Sequence, residues 1–215
     1  MRLILRIAVV LSALILPASA QTLARQIEAQ RQADINQRIA ARIDALAGDP
    51  AAPVIGNPKA PVTIIEFFDY TCPYCKAAEP RLEALVNRDR GVKLVLKEFP
   101  ILAPVSLAAA RAALAAKKQG KYAAFHKAMM RYQGLPAQVD ILDMARASGV
   151  DVARMTRDMT GADVSDQIIS VFNQARGIRV FQTPAFIVAG PKGARILNSE
   201  SAGIDFAKEV AAARR

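Results

Sequence analysis

The residues Val-Thr-Ile-Ile-Glu-Phe-Phe (62–68) form the most strand-like run of the chain, and its only two cysteines, Cys72 and Cys75, follow at once. β-Branched and aromatic side chains suit a buried strand. Beyond the cysteines, Ala78, Leu82, Leu85 and Val86 fall on one face of a helix. Pro73 fits its first turn, where a missing N–H loses no partner, and Pro80 inside it predicts a kink. A strand that hands over to a helix at a thiol pair constrains the chain strongly, because it sets both sulfurs at a helix N-terminus.

The rest of the pattern is α/β. Val92–Phe99 reads as a second strand, and residues 105–177 read as wholly helical, with Gly120, Gly134, Gly149 and Gly161 between segments. Strand texture returns at 184–189 and 194–198, and Asp205–Arg215 closes as a short amphipathic helix. One α/β domain over 54–215, with a helical insertion at about 105–177, accounts for this order. Before it, residues 21–53 read as a helical leader and linker. Ile35, Ile39, Ile43 and Leu46 recur at helical spacing before Gly48 and Pro50, and 48–53 reads as the linker. The segment 21–47 is a candidate for homo-oligomerisation, but the pattern breaks between Ile27 and Ile35 and never sustains heptads, so a helix lying on its own domain or a partly disordered leader is an equal alternative.

Residues 1–20 have the plan of an export signal: Arg2 and Arg6, an apolar run from Ile7 to Leu16, and Ala18-Ser19-Ala20 as a small-residue cleavage site. The mature chain is expected to start at Gln21 in an oxidising compartment, the periplasm. Paired cysteines there usually staple small domains. A chain of 215 residues buries a core without staples, and a bridge across two residues would restrict the unfolded chain little. The pair is better explained as one that exchanges.

Exchange needs a thiolate. A free cysteine titrates near ~8.5, so few thiols are charged at neutral pH. The unpaired N–H groups and dipole of a helix N-terminus favour the anion at Cys72, by at most about 2 kcal/mol from the dipole alone. Direct hydrogen bonds to sulfur must supply the rest, from backbone N–H groups and the Cys75 thiol. Cys75, one turn on and more buried, is expected to be the resolving thiol. Zinc is disfavoured, since a single pair and the lone His126 fall short of four ligands; two thiolates still suffice for Cu(I). His126 shares a helix face with Tyr122, Phe125 and Met129 and is expected to be a packed or partly exposed side chain.

The stretch IIEFFDYTCPYCKAAEP (64–80), with QTPAFIV (182–188) and the helical insertion between them, resembles the DsbA family of thioredoxin-fold thiol–disulfide oxidoreductases. The resemblance covers about residues 54–213. It implies a thioredoxin-like α/β fold, with the helical insertion between the second and third core strands. It implies catalysis by Cys72 and Cys75, support from Pro73 and Tyr74, and a cis-proline at Thr183-Pro184 facing them. Glu66 matches the family's buried acid beneath the site, and Lys97 is a candidate partner for it. No cofactor and no metal are expected. The implied clients are exported proteins with free thiols or disulfides, and the implied recycling partner is a membrane protein, a quinone-linked oxidase or a thiol reductase. Tyr74 stands where the best-known oxidases carry histidine, and Pro73-Tyr74 with Thr183 also resembles isomerase and reductase relatives. Dithiol oxidase is the leading reading; isomerase or reductase is the alternative, and a copper-binding or chaperone-like thiol protein is the rival class.

The net charge is +10, and loss of Arg2 and Arg6 with the leader leaves +8. No basic block interleaved with aromatics accompanies it, so nucleic acid is excluded as a partner. Scattered surface charge, with weak attraction to anionic membranes or acidic clients, is the expected consequence.

Overall fold

The computed structural model describes residues 18–197 and 203–214. Most of the export signal read at 1–20 lies outside the described residues, as do Asn198 of the last expected strand and Arg215 of the last helix. The chain divides into two compact units, one ending at Asp34 and one comprising Ile35–Arg215. The described residues of the first are helical, belong to α1 (Ala18–Ala40), and leave Leu23 and Ile27 exposed.

The second unit takes up α1 at Ile35. It continues through α2 (Ile43–Ala47), β1 (Val54–Gly56), β2 (Val62–Phe68), α3 (Pro73–Arg88) and β3 (Val92–Glu98). The helices α4 (Pro104–Lys117), α5 (Tyr122–Arg131), α6 (Gln138–Ala147), α7 (Val152–Asp158) and α8 (Ala162–Gly177) then precede β4 (Ala185–Gly190), β5 (Gly193–Leu197) and α9 (Phe206–Arg214). The sheet runs β1-β3-β2-β4-β5, with β2 and β3 parallel and every other pairing antiparallel. The helical segment therefore sits between β3 and β4, as expected of the fold. The short β1 carries no alternation long enough to read in the sequence; it pairs with β3 at the sheet edge.

All seven residues of β2 are buried, which explains its uninterrupted apolar texture. The strand period of two divides them between faces. Ile64 and Phe68, with Leu94, Leu96, Phe186 and Val188, meet α3, α4, α5 and α9 in one core cluster. Ile65 and Phe67, with Val95 and Ile187, meet Ile39, Leu46 and the α8 residues Val171 and Ala175 in a second. Ile35 and Ile43 pack against this second cluster, so the helical spacing of the four residues reports a face laid on the sheet. Ala109, Ala112, Ala113 and Ala116 of α4 are buried, and their small size lets α5, α6, α7 and α8 pack closely around it. α3 passes through Pro80 and ends at Arg88.

The stretch 48–53, read as a linker, is bonded to the sheet. The Asp49 carboxylate accepts hydrogen bonds from Lys97 Nζ (2.8 Å) and Gln174 Nε2 (3.1 Å). Leu96 N donates to Pro53 O (2.9 Å), and Lys117 Nζ donates to Ala51 O (2.6 Å). A buried lysine on β3, which the sequence reading assigned elsewhere, anchors this segment. Burial raises the Asp49 carboxyl, but the hydrogen bonds from Lys97 and Gln174 and the lysine charge outweigh it and hold the pKa at about 2. The carboxyl is ionised in the fold and titrates higher when unfolded, so the pair stabilises above about pH 4 and ceases to do so as pH falls through 2. With allowance for partial exposure this is worth about 1–2 kcal/mol. Asp49→Ala leaves the Lys97 ammonium buried without its partner; urea unfolding at pH 7 is expected to show a loss of about 3 kcal/mol, shrinking as pH approaches 2.

Candidate active site

The chain leaves β2 at Phe68 and turns into α3 over four residues. Cys72 N donates to Asp69 O (3.0 Å), which closes the turn, and Lys76 N donates to Cys72 O (3.1 Å), which opens the helix. Cys72 is the N-cap residue, extended at φ −77°, ψ 115°, with Pro73 at the next position. Its sulfur accepts from Cys75 N (3.4 Å), occupying the place of the serine or aspartate oxygen that usually satisfies a first-turn amide. The anion-favouring end of α3 is thus aimed at one sulfur.

The two thiols differ sharply. The Cys72 thiol is pulled down to about 6, chiefly by the hydrogen bond from the Cys75 thiol, against the opposing effect of burial and with help from the Cys75 amide. Cys75 is fully buried, and burial, reinforced by its hydrogen bond to Cys72, pushes its thiol far up. One sulfur is an anion near neutrality while its neighbour keeps the proton. Cys72 is itself only 1 % exposed, more covered than a helix-start position leads one to expect. Across from it the Thr183–Pro184 peptide bond is cis, and the Thr183 carbonyl lies 3.5 Å from Cys72 Sγ. Tyr74, between the two cysteines in sequence, is 61 % exposed, and Phe181, two residues before Thr183, is 70 % exposed. A groove of about 560 Å³, lined by Thr71, Pro73, Ala77, Pro80, Met130 and Leu135 among others, opens beside the first turn of α3.

Glu66 lies beneath the site. It shares the sheet face of Ile64 and Phe68, is fully buried, and neither oxygen has a hydrogen-bond partner. Burial, then the charges of Glu79, Cys72 and Glu98, raises its carboxyl well above the ordinary range. Lys97 is not its partner. Leu96 stands opposite Glu66 in the β2–β3 register, so Lys97 leaves the sheet on the other face, where it meets Asp49. Strand parity, invisible without the register, decides this.

The sequence reading overlooked a polar network on the Glu66 face. Tyr122 OH donates to Glu98 Oε1 (2.7 Å), and Tyr70 OH donates to the same oxygen (3.2 Å). Burial holds the Glu98 carboxyl up at about 8, partly offset by the two phenols. His126 lies with Nδ1 3.0 Å from Tyr70 OH and Nε2 3.4 Å from Glu79 Oε2, and stacks on Tyr122. The packed reading of His126 holds. Also overlooked was Asp69, buried at the turn before Cys72; the acid in Phe-Phe-Asp-Tyr was its only signal.

An unpartnered carboxyl in a core is costly. Because Glu66 holds its proton in the fold and loses it when unfolded, its relative benefit is present at low pH and lost as pH rises above about 4.5. Glu66→Leu is expected to raise stability by about 1–3 kcal/mol at pH 8 and by less at pH 4, read from urea unfolding at the two pH values.

The comparisons with known proteins agree with this fold. A family model described as thioredoxin matches residues 49–202. The crystal structure of a thioredoxin-like oxidoreductase from Silicibacter pomeroyi DSS-3 is 41% identical, with 79% of this chain and 96% of that one covered, at a TM-score of 0.70. The thiol-disulfide exchange protein alpha-DsbA2 from Wolbachia pipientis is 26% identical over 85% of this chain and 97% of that one, at a TM-score of 0.74. Among curated proteins, the Na(+)/H(+) antiporter NhaA 1 of Salinispora arenicola is 31% identical over 139 residues, which are 64% of this chain. The chain spans only about a fifth of the length of that relative (21%). Among the described residues no helix is long and apolar enough to cross a membrane. The matched model, the five-stranded sheet and the thiol pair at the start of α3 converge: the chain belongs to the thioredoxin family, among its thioredoxin-like oxidoreductases.

Proposed function

We propose that the chain is a thiol–disulfide oxidoreductase of exported proteins, working as a dithiol oxidase through Cys72 and Cys75. The carrying observation is Cys72 Sγ at the N-cap of α3, accepting from Cys75 N (3.4 Å) and 3.5 Å from the Thr183 carbonyl, an arrangement that pulls the Cys72 thiol down to about 6. At pH 7 such a thiol is roughly 90 % thiolate. Stabilising that anion favours the dithiol form, which makes the disulfide the better oxidant.

The cycle follows from the two sulfurs. In the oxidised form a client thiolate attacks Cys72 Sγ, the Cys72–Cys75 bond breaks, and Cys75 leaves and takes up a proton. A second client thiolate attacks the client sulfur of the mixed disulfide, and Cys72 departs as a thiolate, a good leaving group because of its low pKa. The client gains a disulfide, and the pair gains two electrons and one proton, leaving Cys72 anionic. Re-forming the bridge requires a membrane oxidase. The Thr183 carbonyl, 3.5 Å from Cys72 Sγ, supports pairing of the Thr183 backbone with an extended client segment, and the groove beside Pro73 offers neighbouring client side chains a mixed surface of Pro80, Met130 and Leu135 with Lys76, Glu83 and Arg131. Glu66 serves as the proton acceptor or donor for Cys75, and Pro73 and Tyr74 shape the first turn of α3. Isomerase or reductase action uses the same atoms with the pair kept reduced by a thiol donor. The hydrogen bond from Cys75 N to Cys72 Sγ stabilises the anion and so supports electron uptake, the oxidase direction, while a thiol at about 6 serves the reverse direction as well. Export to the periplasm rests on the leader at 1–20, and oligomerisation through 21–47 on the exposed Leu23 and Ile27 of α1.

The covering of Cys72 makes access the decisive test. Iodoacetamide added to the reduced protein is expected to modify Cys72 and spare Cys75, with a pH midpoint near 6 followed by thiolate absorbance. Cys75→Ser is expected to trap covalent client complexes. No alkylation of the folded protein, or a midpoint near that of free cysteine, sinks the enzyme reading. Thiol trapping from cells separates the directions: a mostly oxidised pair supports the oxidase and a mostly reduced pair the isomerase or reductase.

A further inference from the structure

We propose that Asp69 is a positioning residue for Cys72: its buried carboxylate fixes the turn that carries the sulfur and ties that turn to the start of the helical insertion. The inference rests on Cys72 being the attacking thiol.

The carboxylate receives five hydrogen bonds from three segments. Oδ1 accepts from Thr71 N, Thr71 Oγ1 and Ser106 Oγ, each at 2.8 Å. Oδ2 accepts from Ile101 N (2.9 Å) and Leu102 N (3.0 Å). Asp69 is 2 % exposed, so no solvent competes for these oxygens. Its own carbonyl accepts Cys72 N, so backbone and side chain of one residue hold both residues that follow Tyr70.

Each donor group belongs to a different part of the fold. Thr71 immediately precedes the sulfur-bearing residue. Ile101 and Leu102 lie in the connection after β3, and Ser106 is in the first turn of α4. Ser106 Oγ also accepts from Ala103 N (3.2 Å) and lies 3.0 Å from Thr71 Oγ1, which closes the network. A carboxylate has acceptor sites for all of these and no donor to misplace. An asparagine in its place turns an N–H₂ toward two backbone N–H groups or toward three donors, so some of the five contacts must break.

The consequence for chemistry is geometric. The Cys72 sulfur must stay over the Cys75 amide to receive its hydrogen bond, and that alignment is held from the helix side by α3 and from the strand side by Asp69. A looser turn lets the sulfur drift while the sheet and helices remain in place. Loss of a carboxylate charge alone works in the opposite sense, since removing a nearby negative charge favours the thiolate. Positioning and charge are therefore separable by sign.

The test is the thiolate midpoint of Cys72, followed by absorbance in reduced Asp69→Asn, Thr71→Val and Thr71→Ser proteins, beside urea unfolding of each. Asp69→Asn is expected to raise the midpoint by about one pH unit, with about tenfold less thiolate below it, and to slow reaction with a small disulfide at pH 6 to match. Thr71→Val, which keeps the charge, is expected to shift it in the same direction by less, and Thr71→Ser to restore the parent value. A midpoint that stays or falls in folded Asp69→Asn overturns the proposal, even where stability drops. If that variant does not fold, the Thr71 pair decides: equal midpoints for Val and Ser overturn it. A parent midpoint near that of free cysteine instead removes the oxidoreductase reading on which this one stands.

Discussion

A sulfur atom caps the N-terminus of α3, and the arrangement of the molecule follows from keeping it there. Helix starts leave amide hydrogens without partners; here one of them is satisfied by Cys72 Sγ. The cap is an ordinary structural device in which sulfur replaces an oxygen, and in the proposed cycle the charge that stabilises the helix end is the charge that reacts. Structure and reactivity therefore share one hydrogen bond. The fully buried β2 delivers the chain to that point, with partners on both flanks holding it in register.

Sheet parity sorts the ionisable groups around this cap. Glu66, Glu98 and the network running through Tyr70, Tyr122, His126 and Glu79 occupy the face that also carries α3. These are neutral or mutually bonded groups in a place that disfavours free charge, and both Glu66 and Glu98 are driven toward their protonated forms by burial. The ion pair of Lys97 with Asp49 lies on the opposite face, where it holds the segment ahead of β1.

The parts legible in the sequence were those written in local patterns. The apolar run 62–68, the Cys-Pro-Tyr-Cys that follows it and the Thr-Pro ahead of the fourth strand each carry their signal within a few residues. The helical stretch between β3 and β4 was equally plain, since its spacing repeats over many turns. What stayed hidden depends on pairs far apart in the chain. Lys97 is a candidate partner for Glu66 from its place on the second strand, whereas the contact depends on a register that one residue reverses. The residues 48–53 looked like a tether because Gly, Asp and Pro favour turns, while their anchoring partners, Lys97, Gln174 and Lys117, lie far away. Asp69 shows in the sequence only as the acid of Phe-Phe-Asp-Tyr, since its donors come from positions 71, 101, 102 and 106.

The parity that parts Lys97 from Glu66 leaves the protein with an insulated wall. An ammonium group has been placed within one strand of a reactive thiolate without becoming its counterion, because the thickness of a pleated sheet lies between them. The far side can therefore exchange its anchored segment and its ion-pair partner without breaking the hydrogen bond that Cys72 Sγ accepts on the near side.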